Sequence, residues 1–117
     1  MVNAFGKCMR RIRGEESLRT CAKRLEITAS FLSAMEVGKR TVPDIYYEKI
    51  KELYNLNEEQ SKELYESIIY TNQRVDIEIT KMNKAQQQTT VMFARKIESA
   101  NPELVEKLRK VLSEEGE

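Results

Sequence analysis

Apolar residues return along the first part of the chain at helical spacing, in short bursts separated by cap and turn residues. Phe5, Met9 and Ile12 fall at i, i+4 and i+7 behind Asn3, so a first helix starts with Asn3 as N-cap, runs to about Arg13 and ends at Gly14. Ser17 caps a second helix, Leu18 to Leu25, which turns Leu18, Cys21, Ala22 and Leu25 inward. Thr28 caps a third, Ala29 to Val37, with Leu32 and Met35 toward the core and Gly38 as its left-handed C-terminal cap. Asp44 caps a fourth, to about Tyr54, with Tyr46 or Tyr47, Ile50, Leu53 and Tyr54 apolar, and Asn55 breaks it. Asn57 and Gln60 have capping-box spacing at the head of a fifth, which buries Leu64, Tyr65, Ile68 and Ile69.

At Thr71 the period changes. Arg74 to Thr80 alternates polar and apolar, the pattern of a half-buried strand. A sixth helix follows from the Asn83 and Gln86 capping box to about Ser99, with Met92, Phe93 and Ile97 apolar. Asn101-Pro102 opens a last helix that buries Leu104, Leu108, Val111 and Leu112, with 113–117 expected to fray. A lone strand leaves backbone groups unpaired on both edges, and no other stretch alternates. The simplest partner is the same strand of a second copy, antiparallel across a two-fold axis. Val75, Ile77 and Ile79 then face the C-terminal helices, and Phe93 and Leu108 become dimer-core residues. Tyr70 to Gln73 is the nearest thing to a linker, so the expected domains are 1–70 and 71–117.

With 117 residues, 40% of them apolar and 33% charged, the chain suits a small globular protein. It contains no apolar run long enough to cross a membrane. Its basic start is not followed by the apolar stretch of a signal peptide, so a cytoplasmic location is expected. The net charge of +1 hides an asymmetry: residues 1–42 hold nine Lys or Arg against four Glu, while 43–74 hold four cations against seven acids. A polyanion would therefore meet the first third of the chain.

The residues that build the turn between the second and third helices are the most specific feature. Ala22 is small where two helices cross, and Leu25, Ile27, Leu32 and Met35 fill the angle beneath them. Glu36, Gly38, Lys39 and Arg40 end the third helix and put positive charge where a phosphate backbone would pass. Together with Ser17 and Thr28, this pattern resembles the helix-turn-helix domain of the Cro and phage-repressor (Xre) family of transcriptional regulators. The resemblance covers roughly Phe5 to Leu56. It implies a five-helix lambda-repressor-like domain, a homodimer and double-stranded DNA with two half-sites as partner, the third helix lying in the major groove.

Carried over position by position, the resemblance puts the base-facing residues at Ala29, Ser30, Ser33 and Ala34, with Thr28 and Phe31 near the backbone. Ser17, Leu18 and Arg19 stand at the phosphate-facing start of the second helix, and Lys39 and Arg40 grip the backbone after the third. The chain departs from the family at Glu26, where the turn usually has Gly, and at Leu18, where many members have Gln. The base-facing positions hold no Gln, Asn, Arg or Lys, so no side chain there can read a base through two hydrogen bonds. Serine hydroxyls and alanine methyls are left for direct contact, and the rest of the specificity falls to DNA shape and phosphate contacts.

Catalytic chemistry is not expected. The chain has no His, no Gly-rich phosphate loop and no Cys–His pair, and Cys8 and Cys21 fit no metal spacing, so neither a catalytic residue nor a metal or other cofactor is assigned. The two cysteines read as buried free thiols, the adjacent glutamates as solvated charge, and the tyrosines of the fourth and fifth helices as packing residues. The sequence thus leads to a mainly α fold: the five-helix domain, one short strand, and two C-terminal helices used for dimerisation. The expected function is a homodimeric, sequence-specific DNA-binding regulator, a repressor that acts by occupancy. The rival expectation is a protein-interaction module, antitoxin- or inhibitor-like, that keeps the helix-turn-helix fold without a strong operator.

Overall fold

Asn3, Ser17, Thr28 and Asn57 each accept a hydrogen bond from the backbone N–H three residues on, and a helix begins after each of them. In the computed structural model, which describes residues 1–116 with side chains as far as Glu114, these helices are α1 (Ala4–Arg13), α2 (Leu18–Arg24), α3 (Ala29–Glu36) and α5 (Glu58–Asn72). Between the last two lies α4 (Ile45–Leu53). Asp44 is not a side-chain cap as expected: it already has helical φ and ψ and makes no capping bond. Tight bonds from the N–H groups of Tyr46 and Tyr47 to the carbonyls of Pro43 and Asp44 start that helix instead.

These five helices belong to a first unit, Met1–Val75. α1 packs against both α3 and α5, α2 against α3, and α4 against α5. Phe5, Met9, Leu25, Leu32, Met35, Ile50 and Leu64 are fully buried where they meet. Each such side chain contributes about 1.5–3 kcal/mol by leaving water. Tyr65, expected inside, is 47% exposed and lies edge-on to Tyr47, 5.6 Å away between ring centroids. Ser67 and Ser61 take buried positions on α5.

Two polar clamps tie the ends of the elements. The Asn3 backbone N–H donates to the Glu36 carbonyl at 2.9 Å, and its side-chain amide donates to the Met35 carbonyl at 2.9 Å, so the last turn of α3 is docked on the start of α1. Gly6 allows the approach, because a β-carbon there would stand 2.4 Å from the Glu36 carbonyl oxygen. At the far end of α5, the Asn72 side chain pairs with both backbone groups of Val42, accepting from its N–H at 2.8 Å and donating to its carbonyl at 2.9 Å.

The second unit begins at Asp76 and contains α6 (Lys84–Lys96), a 3-10 turn at Ile97–Ser99, and α7 (Pro102–Gly116). Asn83 and Gln86 form the expected capping box, and Asn101 caps α7 through the Leu104 N–H at 2.8 Å. The expected strand is not formed: residues 74–79 carry no regular structure, because a strand needs a ladder and the described residues hold no other strand. Val75 and Ile77 are exposed, while Ile79 is half-buried with its carbonyl accepting from the Gln87 side chain at 2.8 Å. Burial in the last helix also differs from expectation, for Leu104, Val111 and Leu112 are all exposed and Leu108 only half-buried. The helix continues through 113–116, and Glu117, where fraying was expected, lies outside the described residues.

Candidate nucleic-acid interface

Both helices of the motif stop in the same way. At the end of α2, Glu26 takes the left-handed conformation with φ +62, the Ile27 N–H donates back to the Ala22 carbonyl at 3.0 Å and the Glu26 N–H to that of Lys23 at 3.1 Å. This is a Schellman stop, and it turns the chain within the four residues 25–28 so that α3 packs across α2. At the end of α3, Gly38 has φ +87, and the N–H groups of Lys39 and Arg40 both donate to the Ala34 carbonyl, at 2.9 and 3.2 Å. The basic pair is thereby pinned under the last turn of α3.

Along α3 the side chains divide into two sets. Leu32, Met35 and Glu36 are buried, Ser30 is exposed, and Ser33 and Ala34 are half-buried. Ala29 and Phe31, which the resemblance makes contact residues, lean partly on the core, as does Leu18 on α2. Ser17, Arg19 and Thr28 are exposed. The Ser17 and Thr28 oxygens already accept from the Thr20 and Phe31 N–H groups, so each hydroxyl serves first as a cap. Lys39 and Arg40 are exposed beyond them.

Arg40 does not hang free. Its guanidinium carbon lies 4.7 Å over the centroid of the Phe31 ring, and Phe31 meets Tyr46 of α4 edge-on at 6.0 Å. The loop that carries Arg40 is fixed again two residues later, where Val42 is buried and held by Asn72. The nearest carboxylate in sequence is neutralised elsewhere: Glu36, 3% exposed, is salt-bridged to Arg13 of α1. Glu36 therefore does not cancel the charge that Lys39 and Arg40 present.

At the opposite side of α2, Glu16 accepts hydrogen bonds from the Tyr54 hydroxyl and the Arg24 guanidinium, whose carbon lies 4.4 Å over the Tyr54 ring. The Tyr54 hydroxyl, then Arg24, hold the Glu16 carboxyl below its usual range. Burial first, and then its hydrogen bonds, push the Tyr54 hydroxyl up. Burial likewise raises both thiols, Cys8 and Cys21, which are free and enclosed. Glu16, Arg24 and Tyr54 fasten α2 to the end of α4, and neither raised thiol is an activated nucleophile.

Compared with protein-family models, with curated proteins and with solved structures, the chain matches none. The surface must therefore be read from its own chemistry. That chemistry is a small-sided polar helix flanked by an ordered arginine, a lysine and the capped start of α2. Among the described residues, no cluster of His, Cys, Asp or Glu could hold a metal ion, and no helix is long and apolar enough to cross a membrane. The sequence reading missed Tyr46 and Asn72 as members of this surface. Tyr46 carried only a helical apolar spacing, and nothing local in Asn72 pointed to a loop 30 residues away.

Proposed function

We propose that this protein is a sequence-specific double-stranded DNA-binding regulator of the Cro and phage-repressor (Xre) type. It acts in the cytoplasm as a homodimer on two half-sites and represses by occupancy. The observation that carries the reading is the stop of α3, where Gly38 turns Lys39 and Arg40 back under the helix and the Phe31 ring orders the Arg40 guanidinium. An ordered cation next to a polar helix face supports a phosphate grip that sets the register of a groove-reading helix.

In this reading α3 enters the major groove. Its short side chains, Ser30, Ser33 and Ala34, let the helix approach closely, the hydroxyls bonding to base edges and the methyl packing on thymine. Ser17 and Arg19 at the start of α2 hold one phosphate strand, and Lys39 and Arg40 the other side. Because no side chain on this face reads a base with two bonds, discrimination leans on groove shape and on the spacing of the half-sites. Val75, Ile77 and Ile79 pair across the two-fold axis once a second copy supplies the missing ladder. The role is one of binding, with no catalytic group assigned.

A second reading, the protein-interaction module, is favoured by one observation: the exposed part of α3 carries no Gln, Asn, Arg or Lys. Fluorescence anisotropy on mixed genomic fragments separates the two. The regulator prefers some fragments and loses affinity steeply with salt, Lys39→Ala with Arg40→Ala weakens all binding, and Ser30→Ala blurs one base position. Equal, salt-insensitive binding to every fragment leaves the interaction module.

A further inference from the structure

Helix α1 carries four cations, Lys7, Arg10, Arg11 and Arg13, and no acid. Two of them serve the fold. Arg13 is buried against Glu36 of α3, and Arg11 is ion-paired to Glu63 of α5. Lys7 and Arg10 are exposed, and neither is ion-paired among the described residues. A cation in the last turn, such as Arg10, suits the carbonyl end of the helix dipole. Lys7 stands in the first turn, where a cation opposes that dipole, so helix stability does not explain it.

What lies beside these two residues is the basic loop. Asn3 holds the end of α3 by the Met35 and Glu36 carbonyls, and a β-carbon on Gly38 would stand 3.7 Å from the Asn3 amide nitrogen. The chain that leaves Gly38 as Lys39 and Arg40 therefore starts next to the head of α1. Lys7 is one turn on from Asn3 on the same face. A helical side chain covers the turn before its own Cα, so Lys7 leans over Asn3 toward Gly38. Arg10 is placed in the same way one turn after Gly6, the position where the backbone of Glu36 crosses α1 most closely. At about 1.5 Å per residue, Lys7 lies about 6 Å along the helix from Asn3, and Arg10 about 10 Å. Lys39, Lys7 and Arg10 thus form a row of cations that one phosphate strand can follow.

We propose that Lys7 and Arg10 are a further phosphate grip of this interface: the DNA strand held by Lys39 and Arg40 runs on across Asn3 to α1. The inference rests on the DNA-binding reading above and adds two residues that take no part in base reading. Phosphates are alike along a duplex, so this grip adds affinity for any sequence and fixes the orientation of the domain on the backbone. Arg11 and Arg13, engaged within the fold, stay outside it.

Anisotropy titrations of the full chain with sheared genomic duplex DNA, at several salt concentrations, test this. Lys7→Ala and Arg10→Ala should each weaken binding several-fold and lower the slope of log K against log salt by about one, and the two together by about two. Arg11→Ala is the control, for it removes the same charge from the same helix at a residue already engaged by Glu63. Its slope should keep the wild-type value. All three positions are exposed, alanine favours a helix and the Arg11–Glu63 pair lies at the surface, so the variants keep the fold, which circular dichroism verifies. A loss of slope confined to Lys7→Ala and Arg10→Ala upholds the proposal. Wild-type slopes in those two variants overturn it, as does an equal loss in Arg11→Ala, which reduces the effect to net charge. If Lys39→Ala with Arg40→Ala weakens binding while the α1 variants do not, the DNA-binding reading stands and this grip falls. A wild type that does not bind the duplex removes both.

Discussion

The Arg40 guanidinium sits 4.7 Å over the ring of Phe31, nine positions earlier on α3, and this stack orders the cation that ends the motif. An exposed stack of this kind is worth about 0.5–1 kcal/mol, enough to select one rotamer of a long side chain. If Arg40 meets a phosphate, Phe31 acts through it. Arg40→Ala and Phe31→Leu should each weaken DNA binding several-fold, and the double variant little more than either alone. Arg40→Ala should also lower the slope of log K against log salt by about one. Phe31→Tyr, which keeps a ring under the guanidinium, should restore binding. Anisotropy titrations at several salt concentrations check all four proteins.

The buried Arg13–Glu36 pair makes a different kind of statement. The side chains are 10% and 4% exposed, so removing one partner strands a charge away from water. Arg13→Ala should cost about 3–5 kcal/mol, whereas replacing both by apolar residues of similar volume, Arg13→Met with Glu36→Leu, should be close to neutral. Urea denaturation followed by circular dichroism measures both.

Asn72 is the clearest case of a distant residue serving the surface. Asn72→Ala leaves the Val42 N–H and carbonyl without their bonds in a part-buried site, at about 1–3 kcal/mol for each group left unsatisfied. The variant should lose stability and, because the basic loop is no longer fixed at its far end, should also bind DNA more weakly at a temperature where it is fully folded. Equal affinity of variant and wild type at that temperature would show that the clamp serves stability alone.

These three contacts mark the limit of what the sequence discloses. Caps and stops are local: Asn3, Ser17, Thr28 and Asn57 announce themselves by side-chain chemistry and by the apolar spacing behind them. The left-handed residue at Gly38 is equally legible, and Glu26 adopts the same conformation despite its β-carbon. Asp44 looked like another cap, but the tight turn at Pro43 had already brought it into helical geometry. Arg13 and Glu36 are 23 positions apart, and neither carries a local sign of the other. For the C-terminal helices, periodicity marks apolar spacing but not what covers it, and Leu104, Val111 and Leu112, expected inside, are exposed in the single chain. The alternation at 74–80 likewise marks apolar positions, but no strand forms there in the single chain.

Stability should depend on pH in a defined direction. The fold raises the Cys8 and Cys21 thiols and the Tyr54 hydroxyl, mainly by burial. Unfolded thiols ionise at about 8.5 and phenols at about 10, so above these values the unfolded chain gives up protons that the folded chain keeps. The contribution is whole below about pH 8.5 and is lost as the pH rises beyond it. Glu16 has the opposite sign: its lowered carboxyl favours the fold above the unfolded value of about 4.3 and ceases to do so as the pH falls through the folded value. Urea midpoints should therefore decline from pH 8 to pH 11, and Cys21→Ala or Tyr54→Phe should flatten that decline.

The central claim is that the surface around α3 reads duplex DNA as a symmetric pair. Selecting and sequencing the fragments that the full chain retains from its source genome tests this most directly. The expected result is enrichment of a pseudo-palindromic site whose halves lie one duplex turn apart, ~34 Å. Recovery of fragments with no common sequence, or of a single asymmetric site, would contradict it.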